Sequence, residues 1–325
     1  MRAGMIALLL FQMMLWGSAY PMIKLGLTGL SAPHLTLLRH LVASAAFLPL
    51  LVAFRGRLAP RRADGPYFLL VGVLGYTVYH LALNYGELRV SAGAASLIIA
   101  TAPAITALLA VLMTGERLAP LGWAGSVVSF LGVVLVVVGD SASGVSFNAW
   151  AWLVVLAAVA ASFYTVLQKP LFARYKPIEV AAFATWAGTL PLLAFAPGLG
   201  AGVAGASWQA LAATAYIGVF PSAVAYTIYA FALSRAKVTV VTAFLYLVPV
   251  FGLLSSWLLL GEVPAFVTVV GGSVAIGGIV MVNLGKGRQR SGSREPLTEP
   301  ALLAGEQSAD VVAVTVDGEG RQRGG

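Results

Sequence analysis

Apolar residues run in long blocks along this chain, and polar residues gather in the gaps between them. Ten blocks, at 5–25, 33–54, 66–86, 92–113, 121–139, 148–168, 177–197, 208–233, 238–260 and 266–284, reach or approach the roughly 20 residues a helix needs to cross about 30 Å of hydrocarbon. In that medium each backbone N–H and C=O must be satisfied within its own segment, so the blocks predict helices. Residues 69–137 align on 215–283 without a gap, and the punctuation recurs in register: Gly72 with Gly218, Arg89 with Arg235, Pro103 with Pro249, Gly115-Glu116 with Gly261-Glu262, Gly125 with Gly271, Gly132 with Gly278. Each copy holds five blocks, an odd number, so the second must enter the bilayer upside down relative to the first. The expected fold class is an all-α integral membrane protein of ten transmembrane helices arranged as two inverted five-helix repeats, 1–140 and 147–285, followed by a tail at 286–325.

Composition agrees with that pattern. Hydrophobic residues make up 59% of the 325 and charged residues 10%, with a mean hydropathy of +0.90. The first block runs through Trp16 and Pro21 to Lys24 without an evident small-residue cleavage site, so it is read as a retained helix and not as a signal peptide. Alternate connections on one side carry Arg2, Arg55, Arg57, Arg61, Arg62, Arg117, Lys169, Arg174, Lys176, Arg235 and Lys237, whereas the other side carries little beyond Arg89. The positive-inside rule therefore puts both termini in the cytoplasm. The net charge of +8 then reflects topology and contact with anionic membrane lipid, and no nucleic-acid partner is expected. The tail opens basic at Lys286, Arg288, Arg290 and Arg294 and turns polar and acidic, a composition that cannot bury a core and predicts a disordered cytoplasmic appendage.

Polar and aromatic residues inside the blocks mark a candidate site. Pro103 and Pro249 are repeat mates near the middle of the fourth and ninth blocks, and each removes a backbone hydrogen bond at bilayer depth. They either open a central cavity or bend helices for packing. In the third block Tyr76, His80 and Glu87 share a narrow sector flanked by Tyr79 and Asn84, and the mate helix presents Ser222 and Tyr226 with Tyr229 beside them. Gln12, Trp16 and Tyr20 share one side of the first block, Tyr164 and Gln168 one side of the sixth, and Thr239, Thr242 and Tyr246 lead up to Pro249. Hydroxyl and imidazole groups in hydrocarbon need partners, from a hydrated cavity, a solute or neighbouring helices. The fourth-block mates of Thr239, Thr242 and Tyr246 are the small Gly93, Ser96 and Ala100, so any cavity should be lopsided, with aromatic walls opposite open space that suits an organic solute.

Charge is scarce at depth. Lys24 can snorkel to the outer surface, whereas Arg39 sits deep enough to need a partner: a substrate carboxylate, Glu87, or else helix carbonyls or lipid headgroups. The spans have no Asp or Glu near the midplane. Gly115-Glu116 and Gly261-Glu262 read as helix ends, the carboxylate accepting backbone N–H groups near the next helix. Small residues Gly125, Ser129 and Gly132, matched by Gly271, Ala275 and Gly278, predict close helix packing within one chain or between two, leaving monomer and homodimer both open.

The Trp16-Gly17-Ser18 run, Lys24, the Leu38-Arg39 pair and the doubled Pro and Gly-Glu pattern resemble the EamA-type members of the drug/metabolite transporter superfamily over nearly all of 5–285. The resemblance implies an inner-membrane permease that exports amino acids, their derivatives or other small metabolites, with a cavity walled mainly by helices 1, 3, 4, 6, 8 and 9. A channel-like facilitator and a multidrug exporter are the alternatives. The second repeat departs from the pattern, with Ala161-Ser162-Phe163 and Phe183 in place of Trp16-Gly17-Ser18 and Arg39. An enzyme is not expected, since the spans have no catalytic Ser/His pair or acid cluster. Without cysteine there is no disulfide or thiolate site, and without a phosphate-cradling G-x-x-x-x-G-K-[ST] loop there is no direct ATP drive, so no cofactor or metal is expected.

Overall fold

The computed structural model describes residues 3–102, 104–106, 109, 120–139, 149–235, 241 and 244–292, and among these residues it is helical with no strand. In chain order the main helices are α1 Ala3–Leu27, α2 Ala32–Ala53, α3 Arg62–Gly86, α4 Ala92–Ile99, α5 Pro120–Gly139, α6 Ala151–Leu167, α7 Pro177–Leu192, α8 Trp208–Arg235, α9 Val248–Leu260 and α10 Phe266–Gly292. A short unanticipated helix, Leu199–Gly205, lies between α7 and α8. Among the described residues six helical stretches are long and apolar enough to cross a membrane: Gly4–Leu27, Ala32–Ala53, Arg62–Gly86, Ala151–Ala173, Pro177–Phe195 and Trp208–Arg235. The last helix continues to Gly292, through the point at which the tail was expected to begin.

The radial distribution of side chains is that of a protein solvated by lipid. Leu48, Val52, Trp123, Phe130, Trp208 and Phe266 stand exposed on the outside, while Gln12, Arg39, His40, His80, Asn84 and Glu87 are buried inside. In water this pattern would expose much apolar surface; in a bilayer it buries that surface in acyl chains.

Helices of the two halves interleave. α1 packs on α8 and α9, α2 on α7 and α8, α3 on α6 and α7, and α4 on α6 and α9. Glycine permits the closest crossings. A Cβ on Gly188 of α7 would lie 2.4 Å from the carbonyl oxygen of Gly72 in α3, and one on Gly72 would lie 2.5 Å from the Gly188 nitrogen. α5 and α10 pack together, and a Cβ on Gly132 would meet the Ala275 nitrogen at 2.3 Å, so the small-residue faces expected there do serve packing within the chain.

Two helices depart from α geometry at matching places. Val73–Val78 in α3 and Gly218–Val224 in α8 are wide π-helical turns, and the offset that carries Gly72 onto Gly218 also carries Val78 onto Val224. A π-turn holds one residue more than an α-turn, which re-aims side chains on either side of it; such turns concentrate at functional sites. Pro221 lies within the second and contributes by withdrawing a donor.

Pro249 was expected to kink a helix near its middle. It instead occupies the first turn of α9, where a missing N–H is tolerated, behind a 3-10 turn at Phe244–Leu247, so the chain is broken at Pro249 by a change of helix type. Gly261 ends α9 with a φ of +67°. Glu262 accepts from the backbone N–H of Ala92 at 3.1 Å, capping α4 of the other half and not the following helix as expected. Pro103 and Glu116 lie outside the described residues.

Candidate functional site

The helices surround a cavity with about 850 Å³ of empty space, its open mouth included. α1 contributes Trp16, Ala19, Tyr20 and Ile23, α2 contributes Arg39, and α3 contributes Tyr79, His80 and Leu83. Ile99, Ala100, Ala102 and Thr106 form the small-residue side in and after α4. The rest of the lining is Ala161, Tyr164 and Thr165 of α6, Tyr226 and Tyr229 of α8, and Leu245 and Val248 at the start of α9.

The aromatic wall is one connected array. The Trp16 ring lies 5.3 Å from that of Tyr226 and 5.0 Å from that of Tyr229, Tyr226 lies 5.1 Å from Tyr76, and Tyr79 lies 4.5 Å from His80. Trp16 donates its indole N–H to the carbonyl oxygen of Pro221 at 3.1 Å, which fixes the ring against the second π-turn. The hydroxyls of Tyr76 and Tyr164 are 3.1 Å apart. Nδ1 of His80 sits 3.0 Å from the Tyr76 carbonyl oxygen and Nδ1 of His40 sits 2.7 Å from that of Thr36. Both contacts require Nδ1–H, leaving each Nε2 as an acceptor, and neither Nε2 has a partner.

Of the residues singled out from sequence, Trp16, Tyr20, Arg39, Tyr79, His80, Tyr164 and Tyr226 stand on the cavity wall. Tyr76 and Asn84 do not. Tyr76 is fully buried behind His80 and Tyr226, and Asn84 donates to Thr36 Oγ1 at 2.7 Å, tying α3 to α2. The π-turn, which includes Tyr76, breaks the regular 100° spacing on which its shared sector with His80 was projected. Lys24 is half-buried and off the wall, and Pro249 lies behind Val248. The side chain of Tyr246 is outside the described residues. The small apolar wall of Ala19, Ala102 and Ala161 carries no signal that separates it from ordinary packing; Tyr229 and Ala100 were visible as members of the right faces.

Arg39 does not pair with Glu87. Its Nε donates to Ser222 Oγ at 2.8 Å, and the ion pair found among the described residues, Arg174 with Asp64 at 2.9 Å, lies elsewhere. That pair belongs to a clasp joining the α2–α3 and α6–α7 connections. Tyr175 donates its hydroxyl to Asp64 at 2.6 Å and accepts from the Arg61 N–H at 3.0 Å, while Glu179 accepts from the backbone N–H groups of Arg57 and Lys176, both at 2.7 Å. Burial, then the Asp64 bond, raises the Tyr175 hydroxyl pKa above the usual tyrosine value. Among the described residues no group of three His, Asp or Glu could hold a metal ion.

An all-helical membrane fold around an aromatic, largely apolar cavity is the form of a small-molecule transporter. The chain belongs to the EamA-like transporter family, whose model matches residues 3–138 and again 148–284. It is 40% identical over 279 residues to a "probable terminal-alkyne amino-acid exporter" of Streptantibioticus cattleyicolor, covering 85% of this chain and 93% of that protein. It is 39% identical over 270 residues to the "uncharacterized transporter YdfC" of Bacillus subtilis, covering 83% and 88%, and 25% identical over 284 residues to the "uncharacterized inner membrane transporter YedA" of Escherichia coli K12, covering 84% and 88%. Among solved structures, a crystal structure 20% identical in sequence matches with a TM-score of 0.62 over 87% of this chain and 98% of its own, a likeness of fold. The chain is thus an integral membrane transporter of a small-molecule substrate, and not an enzyme.

Proposed function

We propose that this transporter is a secondary permease that exports amino acids or related small organic metabolites by alternating access. Its solute site is the cavity bounded by Trp16, Tyr20, Tyr79, His80, Tyr164 and Tyr226, with Tyr246 and Pro103 as further proposed members. The reading takes 1–140 and 147–285 as two inverted five-helix halves, ten spans in all, in the inner membrane with both termini cytoplasmic and 286–325 as a cytoplasmic tail. In that topology the Asp64–Arg174–Tyr175 clasp lies at the cytoplasmic face and the Glu262–Ala92 contact at the outer face. Rocking of the halves would open one as the other holds.

The observation that carries the reading is the wall itself, which draws on both family-matched segments and sets tyrosines and a tryptophan against the flat surface of Ala100 and Ala102. The exporter named for terminal-alkyne amino acids, similar over most of its length, supports amino acids as the solute class. Counterflow into proteoliposomes tests it, with L-propargylglycine, L-leucine and L-phenylalanine offered against nucleosides and amphiphilic cations. Saturable exchange of at least one amino acid is expected. Flux that rises linearly with solute would mark a channel, and transport confined to the cations would mark a multidrug exporter.

A further inference from the structure

Arg39 is the charged residue among the described residues of the cavity wall, and none of them forms an ion pair with it. It lies within α2, its residue is 3% exposed, and its guanidinium makes one hydrogen bond, from Nε to the neutral Ser222 hydroxyl at 2.8 Å. Nη1 is buried without a partner. Glu87 forms no ion pair with Arg39 within 4.0 Å. A buried guanidinium with donors left over is costly unless an anion completes its shell. The planar fork of Arg matches a carboxylate in two parallel N–H···O bonds.

We infer that Arg39, held by Ser222, is the carboxylate receptor of this cavity, and that the solutes it takes are monocarboxylates with an apolar remainder. This rests on the transport reading and adds the chemical group by which the site recognises its solute. Each half supplies a part. Ser222 comes from the second π-turn, and Gly218 at the start of that turn lies against α2, where a Cβ would sit 2.8 Å from the Arg39 carbonyl oxygen. The approach of the two helices therefore sets where the guanidinium points. Beyond Arg39 the described residues of the wall offer aromatic rings, small aliphatic groups and the hydroxyls of Thr106 and Thr165, with no Asp or Glu among them. An aromatic or aliphatic tail on the solute would be matched by such a surface.

Matched acid and amide pairs test this in the full chain: N-acetyl-L-phenylalanine against N-acetyl-L-phenylalaninamide, and L-propargylglycine against its carboxamide. The readouts are the thermal shift of the purified protein and inhibition of counterflow in proteoliposomes. Each acid should act at a concentration at least roughly tenfold below its amide, as expected for a charged hydrogen-bonded contact. In Arg39→Gln that gap should close. Arg39→Lys should keep part of it, and Ser222→Ala, which leaves the charge in place, should keep more. Equal potency of acid and amide in the unmodified protein overturns the proposal without recourse to a variant, and so does a gap that survives in Arg39→Gln. If neither acid acts while the protein exchanges another solute, the carboxylate receptor fails and the transport reading stands. If no solute is exchanged at all, the transport reading itself fails and this inference with it.

Discussion

Trp16 near the middle of α1 donates its indole N–H to the carbonyl oxygen of Pro221, 3.1 Å away in the π-turn of α8. Across 205 positions of sequence, this bond fixes the largest ring of the cavity wall against the one backbone segment of α8 that a proline has deprived of a donor. Trp16→Phe would keep the contacts with Tyr226 and Tyr229 and delete only the donor. It should lower stability by about 1 kcal/mol and weaken solute binding, whereas Trp16→Ala, which also empties the wall, should abolish binding. Thermal denaturation in detergent and counterflow, measured side by side, would separate the two effects. An unchanged melting temperature in Trp16→Phe would show that the bond contributes nothing.

The Gly72–Gly188 crossing should be intolerant of a single methyl group. With a Cβ on Gly188 only 2.4 Å from the Gly72 carbonyl oxygen, α3 and α7 must part, and Gly188→Ala should destabilise by about 1–3 kcal/mol. Gly277, near which a Cβ meets nothing within 4 Å, is the control. Gly277→Ala should change stability by less than about 1 kcal/mol. Equal melting temperatures for the two variants would count against the packing described.

Tyr175 gives the clasp a pH dependence at the alkaline end. A group whose pKa is raised by folding contributes stability below its unfolded value and loses that contribution as pH rises through its folded value. Tyr175 is held protonated by burial and by its bond to Asp64. The contact between the α2–α3 and α6–α7 connections should therefore be intact at neutral pH and weaken from about pH 10 upward. Melting curves from pH 8 to 11 should fall more steeply for the native protein than for Tyr175→Phe. Parallel curves would remove Tyr175 from this role.

The proposed topology places Arg61 inside and Gly205 outside. The chain contains no cysteine, so Arg61→Cys and Gly205→Cys, both at exposed positions, can be labelled singly in intact cells with an impermeant maleimide. Only Gly205→Cys should react before lysis. Reaction of both from the same face would refute an odd number of spans between them.

Much of this was legible in the sequence because hydrocarbon imposes few solutions. The block lengths point to helices, and the recurring Gly and Pro marks point to a doubled chain. The tyrosines, His80 and Trp16 stand out because polar groups at such depth need a reason. What escaped notice follows from backbone geometry. No residue in Val73–Val78 announces a π-turn, and that turn disturbs the helical wheel on which Tyr76 was placed beside His80, while Asn84 is turned to α2 by its bond to Thr36. The Arg39 partner was sought among carboxylates, helix carbonyls and lipid headgroups and proved to be Ser222, a residue 183 positions away in the other π-turn. Glu262 likewise caps a helix of the opposite half, a contact that local capping patterns do not encode.

In the proposed mechanism the cavity is the path of the solute and is reached from each side in turn. Ala100 is the position at which to measure it, since it lies on the small-residue side of the wall and is 4% exposed. Ala100→Cys should be modified by a charged methanethiosulfonate both in right-side-out and in inside-out vesicles. Modification should stop counterflow, and excess transported solute should slow the reaction. Modification that leaves flux unchanged, or a thiol that never reacts from either side in a protein that still transports, would contradict a solute path through this cavity.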